Sequence, residues 1–299
     1  MRNTLLDAAK LGYVLADGAM GTELLRRGLP IGACTAAWNV EKPDEVAAVH
    51  QGYVDAGSDC LVVNTFSANR LRLREFSLEA RSTELNQRAV EIARGAAGDG
   101  RWLLGSIGPC SGFREPRGSI SSEASLEAYT EQISALANAG VDGLLIETIT
   151  DTAEMRAAVE AAHSITQTLP VLVSFCFQRR PETLDYRLIR SGESLQEVCA
   201  LLSEIRVDCA GANCGAEVHM EDYAAITAVL RGAFEGPLIM RPNGGQLFAC
   251  GQEVKCAEPP EIMADGVWGL VRAGASIIGG CCGTTRDHIR LFRQELDKL

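Results

Sequence analysis

A (β/α)8 barrel is the fold class the sequence predicts, on three observations. Eight short apolar runs recur along the 299 residues, amphipathic segments with helix signals separate them, and polar or unusual residues collect at the carboxyl ends of the runs. In chain order the runs are YVLADG from Tyr13, CLVVNTF from Cys60, WLLGSIG from Trp102, GLLIETI from Gly143, PVLVSFC from Pro170, CAGANC from Cys209, PLIMRPN from Pro237 and SIIGGCC from Ser276. Runs without polar alternation suit strands buried on both faces, which is the condition of a parallel sheet covered by helices. The intervening segments include PDEVAAVHQGYVDAG, SLEAYTEQISALANAG, DTAEMRAAVEAAHS and PPEIMADGVWGLVRAG. Several open on Pro, Ser or Asp and close on Gly, the expected start and stop residues. Eight such units indicate a closed barrel, a fold that routinely reaches this length as one domain, so residues 1–299 are read as one barrel domain. A doubly wound open sheet is the alternative, but DGAMGTE after the first run lacks a complete G-x-G-x-x-G.

Composition removes several function classes. A formal charge of -11 opposes a nucleic-acid surface, which needs clustered Lys and Arg. No apolar run approaches the roughly 20 residues of a membrane span, and the N-terminus carries no signal-peptide pattern, so a cytoplasmic protein without a membrane partner is expected. Eleven scattered cysteines fit a reducing compartment, with Cys60, Cys199 and Cys209 expected as small buried apolar residues.

The strand ends carry Asp17, Asn64, Glu147, Asn213 with Cys214, Asn243, and Cys281 with Cys282. A barrel converges these distant positions on one mouth, onto which the long connections after runs three, five and seven also fall. Three thiolates with an open fourth position match a catalytic zinc site; three buried cysteines, or a vicinal disulfide at Cys281 and Cys282, are the alternatives. Thiolates overcompensate the two charges of zinc, which makes the ion a poor activator of water but leaves it able to bind and deprotonate a substrate thiol. Asp17 and Glu147 can cap turns or pair with a substrate ammonium, favouring an amino-acid thiol, and the amides of Gly18 to Gly21 can receive its carboxylate. His50, His163, His219 and His288 fall in or beside helical segments and are read as surface or packing residues. Arg179, Arg180, Arg187 and Arg190 are read as solvated, with steering of an anionic donor or partner as the alternative.

These residues resemble the homocysteine S-methyltransferases, zinc enzymes on a (β/α)8 barrel. The matching motifs are DGAMGTELLRRG, NTFSANR, GSIGP, ETITD, GANCG, RPNGG and IIGGCCGTT, in the family's order from residue 17 to 285. The resemblance implies that Cys214, Cys281 and Cys282 bind zinc, that the homocysteine sulfur takes the fourth position, and that Glu147 and Asp17 hold its amino group. It also makes Asn243 a displaceable fourth ligand. NTFSANR, GSIGP and PNGG look most like the homocysteine half of cobalamin-dependent methionine synthase. With no corrinoid signature in the chain, methylcobalamin is expected in trans, free or on a corrinoid protein. Methyl transfer to another thiol, or a non-catalytic zinc-binding partner of a corrinoid or folate protein, are the other readings.

Overall fold

The eight apolar runs are eight parallel strands of one sheet in the computed structural model, which describes residues 4–110, 120–180, 182–183, 185–245, 247–250, 253–256 and 258–299. The strands are β1 (Val14–Leu15), β2 (Cys60–Val62), β3 (Trp102–Ile107), β4 (Gly143–Ile149), β5 (Val171–Phe175), β6 (Cys209–Asn213), β7 (Leu238–Arg241) and β8 (Ile277–Ile278). Each pairs with its sequence neighbours, β8 pairs with β1, and a parallel bridge from Ala16 to Cys60 joins β1 to β2. The sheet closes on itself, which decides for the barrel over the open sheet.

Alternation hidden in the runs sorts the core into two shells. Val14, Ala16, Cys60, Val62, Leu104, Leu145, Leu172, Cys209, Ile239 and Ile277 form one cluster, which is the barrel interior. Their neighbours Leu15, Leu61, Leu103, Leu144, Val171, Ala210, Leu238 and Ile278 pack outward in the cluster shared with the helices. Both shells are apolar, so the period of two does not show in hydropathy. Leu5 and Ala9 of the N-terminal helix Leu5–Leu11 join the interior cluster and close the amino end of the barrel. Chemistry is left to the carboxyl end.

The helices begin and end on the predicted residue types. Ser121 and Asp151 accept hydrogen bonds from Ala124 and from Ala153 and Glu154, Pro43 and Pro260 occupy first turns, and Gly140 and Gly274 end helices in left-handed conformations. One segment differs from expectation: PPEIMADGVWGLVRAG is two helices, Pro260–Asp265 and Val267–Ala273, meeting at Gly266. Met220 packs within 2.9 Å of where a Cβ of Gly266 would stand.

Two connections expected as loops contain antiparallel hairpins, Phe177–Arg179 with Tyr186–Leu188 after β5 and Leu247–Cys250 with Glu253–Cys256 after β7. Residues 111–119, in the connection after β3, lie outside the described residues. The arginines after β5 are less solvated than expected: Arg179 pairs with Asp222, Arg187 with Asp185 and Arg190 with Glu154. They brace the loop. Among the described residues no helix is long and apolar enough to cross a membrane.

His50 is fully buried on the helix Pro43–Asp55, and neither ring nitrogen has a hydrogen-bond partner. Burial lowers its pKa from the usual 6.5 to about 4. The unfolded chain therefore takes up a proton between those values that the folded chain does not, so this contribution is complete above pH 6.5 and lost as pH falls towards 4. The expected loss is about 3 kcal/mol. His50→Leu should flatten that dependence, read as the wild-type minus variant difference in urea midpoint at pH 5 and pH 7. Equal differences at both pH values would contradict it.

Candidate active site

Strands β6, β7 and β8 bring three sulfurs together at the barrel mouth. Cys214, Cys281 and Cys282 have their Sγ atoms within 4.8 Å of one another, and Cys214 and Cys282 are 3.6 Å apart. All three are free thiols, so the vicinal disulfide is not formed. Tetrahedral ligation with Zn–S of 2.3 Å requires sulfurs about 3.8 Å apart, so the spacing fits a zinc ion.

Local backbone aims these side chains. Cys214 directly follows β6 with φ of 56°, in the left-handed region that non-glycine residues rarely occupy. Its loop is pinned there by Gly215 N–H donating to Tyr223 Oη at 2.8 Å, and by Cys176 Sγ donating to the Cys214 carbonyl at 2.9 Å. Burial pushes the Cys176 thiol up to about 12. The pair 281–282 is clamped by Cys281 N–H on the Pro242 carbonyl and Gly244 N–H on the Cys282 carbonyl. From the other side Thr284 Oγ1 donates to the Cys281 carbonyl and accepts from Ala19 N–H, which takes that amide out of the expected carboxylate nest.

Within the trio the sulfurs are unequal. Cys281 is held well below the ordinary thiol range by hydrogen bonds with Cys214 and Cys282 and, against burial, by the Arg241 charge and Asn213. Cys214 is raised by its bonds to the other two sulfurs and by burial. Cys282 is lowered by its bond with Cys214, but the bond with Cys281, that sulfur's charge and burial outweigh this and leave it raised.

A cavity of about 370 Å3 opens beside the sulfurs, lined by all three cysteines, Glu147, Arg241, Phe66 and the turn Gly18 to Gly21. Glu147 reaches its wall; Asp17 does not, and lies behind it with 1% exposure. Arg241 stands between them, with Nη1 2.8 Å from Glu147 Oε2 and Nη2 3.5 Å from Asp17 Oδ1. Asp17 also accepts from Val62 N–H, and Glu147 from Ser106 Oγ at 2.5 Å. The cation expected at these carboxylates is thus supplied in part by the protein. Burial raises Asp17 to about 7 and Glu147 upward as well, with Arg241 opposing in both.

Sequence reasoning passed over Arg241 and gave Asn213 no role. Asn213 Oδ1 accepts from Thr148 N–H and Ser174 Oγ, while Nδ2 donates to Thr148 Oγ1 and faces Glu147 Oε2 at 3.4 Å and Cys281 Sγ at 3.6 Å. It holds Thr148 at φ of 59°, where the β4 register shifts, and so aims Glu147. Asn213→Ala should cost about 2–3 kcal/mol, because buried Ser174 and half-buried Thr148 lose their partner, and should also weaken metal binding. Thermal unfolding with and without zinc would separate the two effects, and a variant unchanged in both would remove Asn213 from the site.

Asn243 follows β7 and donates from Nδ2 to the Gly215 carbonyl at 3.1 Å; its Oδ1 is buried without a hydrogen-bond partner. Such an orphaned oxygen beside two of the sulfurs also fits a cation. His163 is half-buried with Nε2 2.8 Å from the Arg206 carbonyl, His288 is buried against the β7–β8 connection, and His219 lines a second cavity beside the sulfurs, closer than its helix-end position suggested.

The fold and the sequence as a whole have counterparts in known proteins. A methionine synthase of Mycobacterium leprae is 30% identical over 312 aligned residues, covering 96% of this chain but 24% of that protein, so the chain spans about a quarter of its length. The metallated form of the Escherichia coli homocysteine methyltransferase MmuM superposes with a TM-score of 0.76 at 29% identity, covering 94% of this chain and 96% of that one. A methyltransferase from Methanosarcina mazei, 11% identical with a TM-score of 0.63 over 98% of this chain and 97% of its own, shares the fold. The sequence pattern of the homocysteine S-methyltransferases matches residues 14–296, and with that match this chain belongs to the family, whose members transfer a methyl group to a thiol.

Proposed function

We propose that the chain is a zinc-dependent enzyme that methylates the thiolate of homocysteine to give methionine, using a methyl-corrinoid supplied in trans. The observation that carries this reading is the sulfur trio at zinc spacing in the wall of a cavity that also presents Glu147 and Arg241. Cys214, Cys281 and Cys282 would hold the metal, with Asn243 Oδ1 as a weak, displaceable ligand beside them. When bound, zinc supplies the positive charge that keeps the substrate sulfur a thiolate near neutral pH.

The protein's own groups do the rest. Glu147 receives the substrate ammonium, Arg241 keeps Glu147 ionised and aimed, and Asp17 acts through Arg241. The turn Gly18 to Gly21 faces the substrate carboxylate. With the amino acid fixed at both ends, its sulfur is presented to the cavity mouth, where Phe66 is 39% exposed. The sulfur–carbon bond forms as the methyl–donor bond breaks, and the electron pair leaves with the donor. No general base is needed in that step, because the thiol proton has already been lost. Proximity and thiolate activation supply the rate. The resemblance of NTFSANR, GSIGP and PNGG to the synthase branch supports the corrinoid donor, and the free thiols support a reducing, cytoplasmic setting.

The test is methionine formation by zinc-quantified protein from homocysteine, in parallel with methylcobalamin, S-methylmethionine and betaine. Turnover with methylcobalamin alone supports the proposal. Turnover with a sulfonium or ammonium donor replaces the corrinoid, and silence with all three from protein holding one zinc per chain refutes homocysteine methylation from these donors.

A further inference from the structure

A second cavity, of about 280 Å3, shares Cys214 and Cys282 with the first but is lined by Asn243, Glu217 and His219 in place of Glu147 and Arg241. Among the described residues two cavities therefore reach these sulfurs, and of the two it is the larger that presents Glu147 and Arg241 to an amino acid. The smaller one is furnished differently. His219 stands at the start of the helix Met220–Ala233 with its backbone N–H on Asp222 Oδ2 at 2.9 Å. Its ring Nδ1 lies 2.6 Å from Glu258 Oε1, and the side chain is 55% exposed. A carboxylate oxygen accepts the Nδ1 proton, which leaves the lone pair on Nε2. That carboxylate–imidazole pairing is the one that orients histidines for metal ligation. Deeper in, the Asn243 amide is fixed by its bond to the Gly215 carbonyl, with its buried Oδ1 unpartnered. An exposed imidazole, a buried amide oxygen and half-buried sulfurs thus stand along one cavity, while Glu217 and Glu258 add negative charge that draws cations.

We propose that this cavity is the path by which the metal ion enters and leaves, with His219, oriented by Glu258, as a transient ligand that passes the ion to Asn243 and the thiolates. The inference rests on the zinc reading above. A hydrated divalent ion exchanges its ligands stepwise, so a relay ligand lowers the barrier in both directions and leaves the end states unchanged.

The experiment times zinc transfer from loaded protein to an excess of a chromophoric chelator, and zinc uptake by metal-free protein, for wild type, His219→Ala and Glu258→Gln. His219→Ala is expected to slow release and uptake by the same factor, on the order of tenfold, and Glu258→Gln by less, with the equilibrium affinity unchanged. Rates equal to wild type in both variants would overturn the proposal. So would faster release with a matching loss of affinity, which would make His219 a resident ligand. Wild-type protein that binds no zinc would end the zinc reading itself, and this inference with it, whereas normal zinc content with unaltered exchange in the variants would end the inference alone.

Discussion

Replacing Cys282 by alanine is expected to abolish stoichiometric zinc and to lower methyl transfer by about 1,000-fold or more. Losing an outer hydrogen-bond partner of a metal ligand already costs roughly 10–100-fold in affinity or activity, and losing a ligand itself should cost more. The kinetic loss has two parts. A thiol with pKa near 8.5 is only about 3% thiolate at pH 7, a roughly 30-fold penalty, and the unanchored sulfur loses its positioning besides. Zinc per chain, chelator competition and initial rates check this. Cys209→Ala is the control: it lies inside the barrel at 0% exposure, so it should reduce stability and leave zinc in place. A Cys282→Ala protein retaining both zinc and full activity would dismiss the sulfur trio as the reaction centre.

Arg241→Met carries the largest expected cost in stability. Arg241 is 4% exposed, with Glu147 at 2.8 Å and Asp17 at 3.5 Å. Burial alone would lower its pKa, but the two carboxylates outweigh that and raise it. Removing the cation strands two buried acids, for which a loss of about 3–5 kcal/mol is expected near neutral pH. The sign with pH follows from Asp17, raised from 3.8 to about 7 in the fold. Between those values the folded chain binds a proton that the unfolded chain releases, so stability from this group is full below 3.8 and is lost as pH rises through 7. Without Arg241 that window extends upward, and the gap between wild type and variant should widen from pH 6 to pH 8. Urea midpoints at the two pH values decide it. A constant gap would mean that the carboxylates are compensated elsewhere. Arg241→Lys should not restore the wild type, since one ammonium cannot span both acids as the guanidinium does.

Much of this architecture is legible in the sequence because each barrel strand is covered on both faces, which leaves uninterrupted runs such as LLIETI and VLVSF. The sulfurs were visible because cysteine at a strand end, twice, has few other uses. Other features were legible only in space. Arg241 sits in the quoted motif RPNGG, yet its meaning depends on Asp17 and Glu147, which are remote in the chain and near it only once the barrel closes. Asn213 looked like a neighbour of Cys214, whereas its work is to hold Thr148 on β4. His219 was read from its place beside a helix, but its partner Glu258 arrives from the far side of β7. The hairpin Phe177–Arg179 with Tyr186–Leu188 escaped because its strands are three residues long and rich in arginine, too short for a pattern to emerge.

The left-handed backbone at Cys214 sets a direction for sequence drift. A non-glycine residue in that conformation costs on the order of 1–2 kcal/mol. Glycine would sit there with less strain and offer no side-chain ligand, and asparagine would offer only a weak amide oxygen in place of a thiolate. In a lineage released from the need for this reaction, Cys214 is therefore the ligand that substitution should erode first, because its loss is rewarded by a firmer fold. A relative that keeps the GGCCG pair but carries Gly or Asn at this position would be recognisable, from its sequence alone, as a barrel that has traded its chemistry for stability.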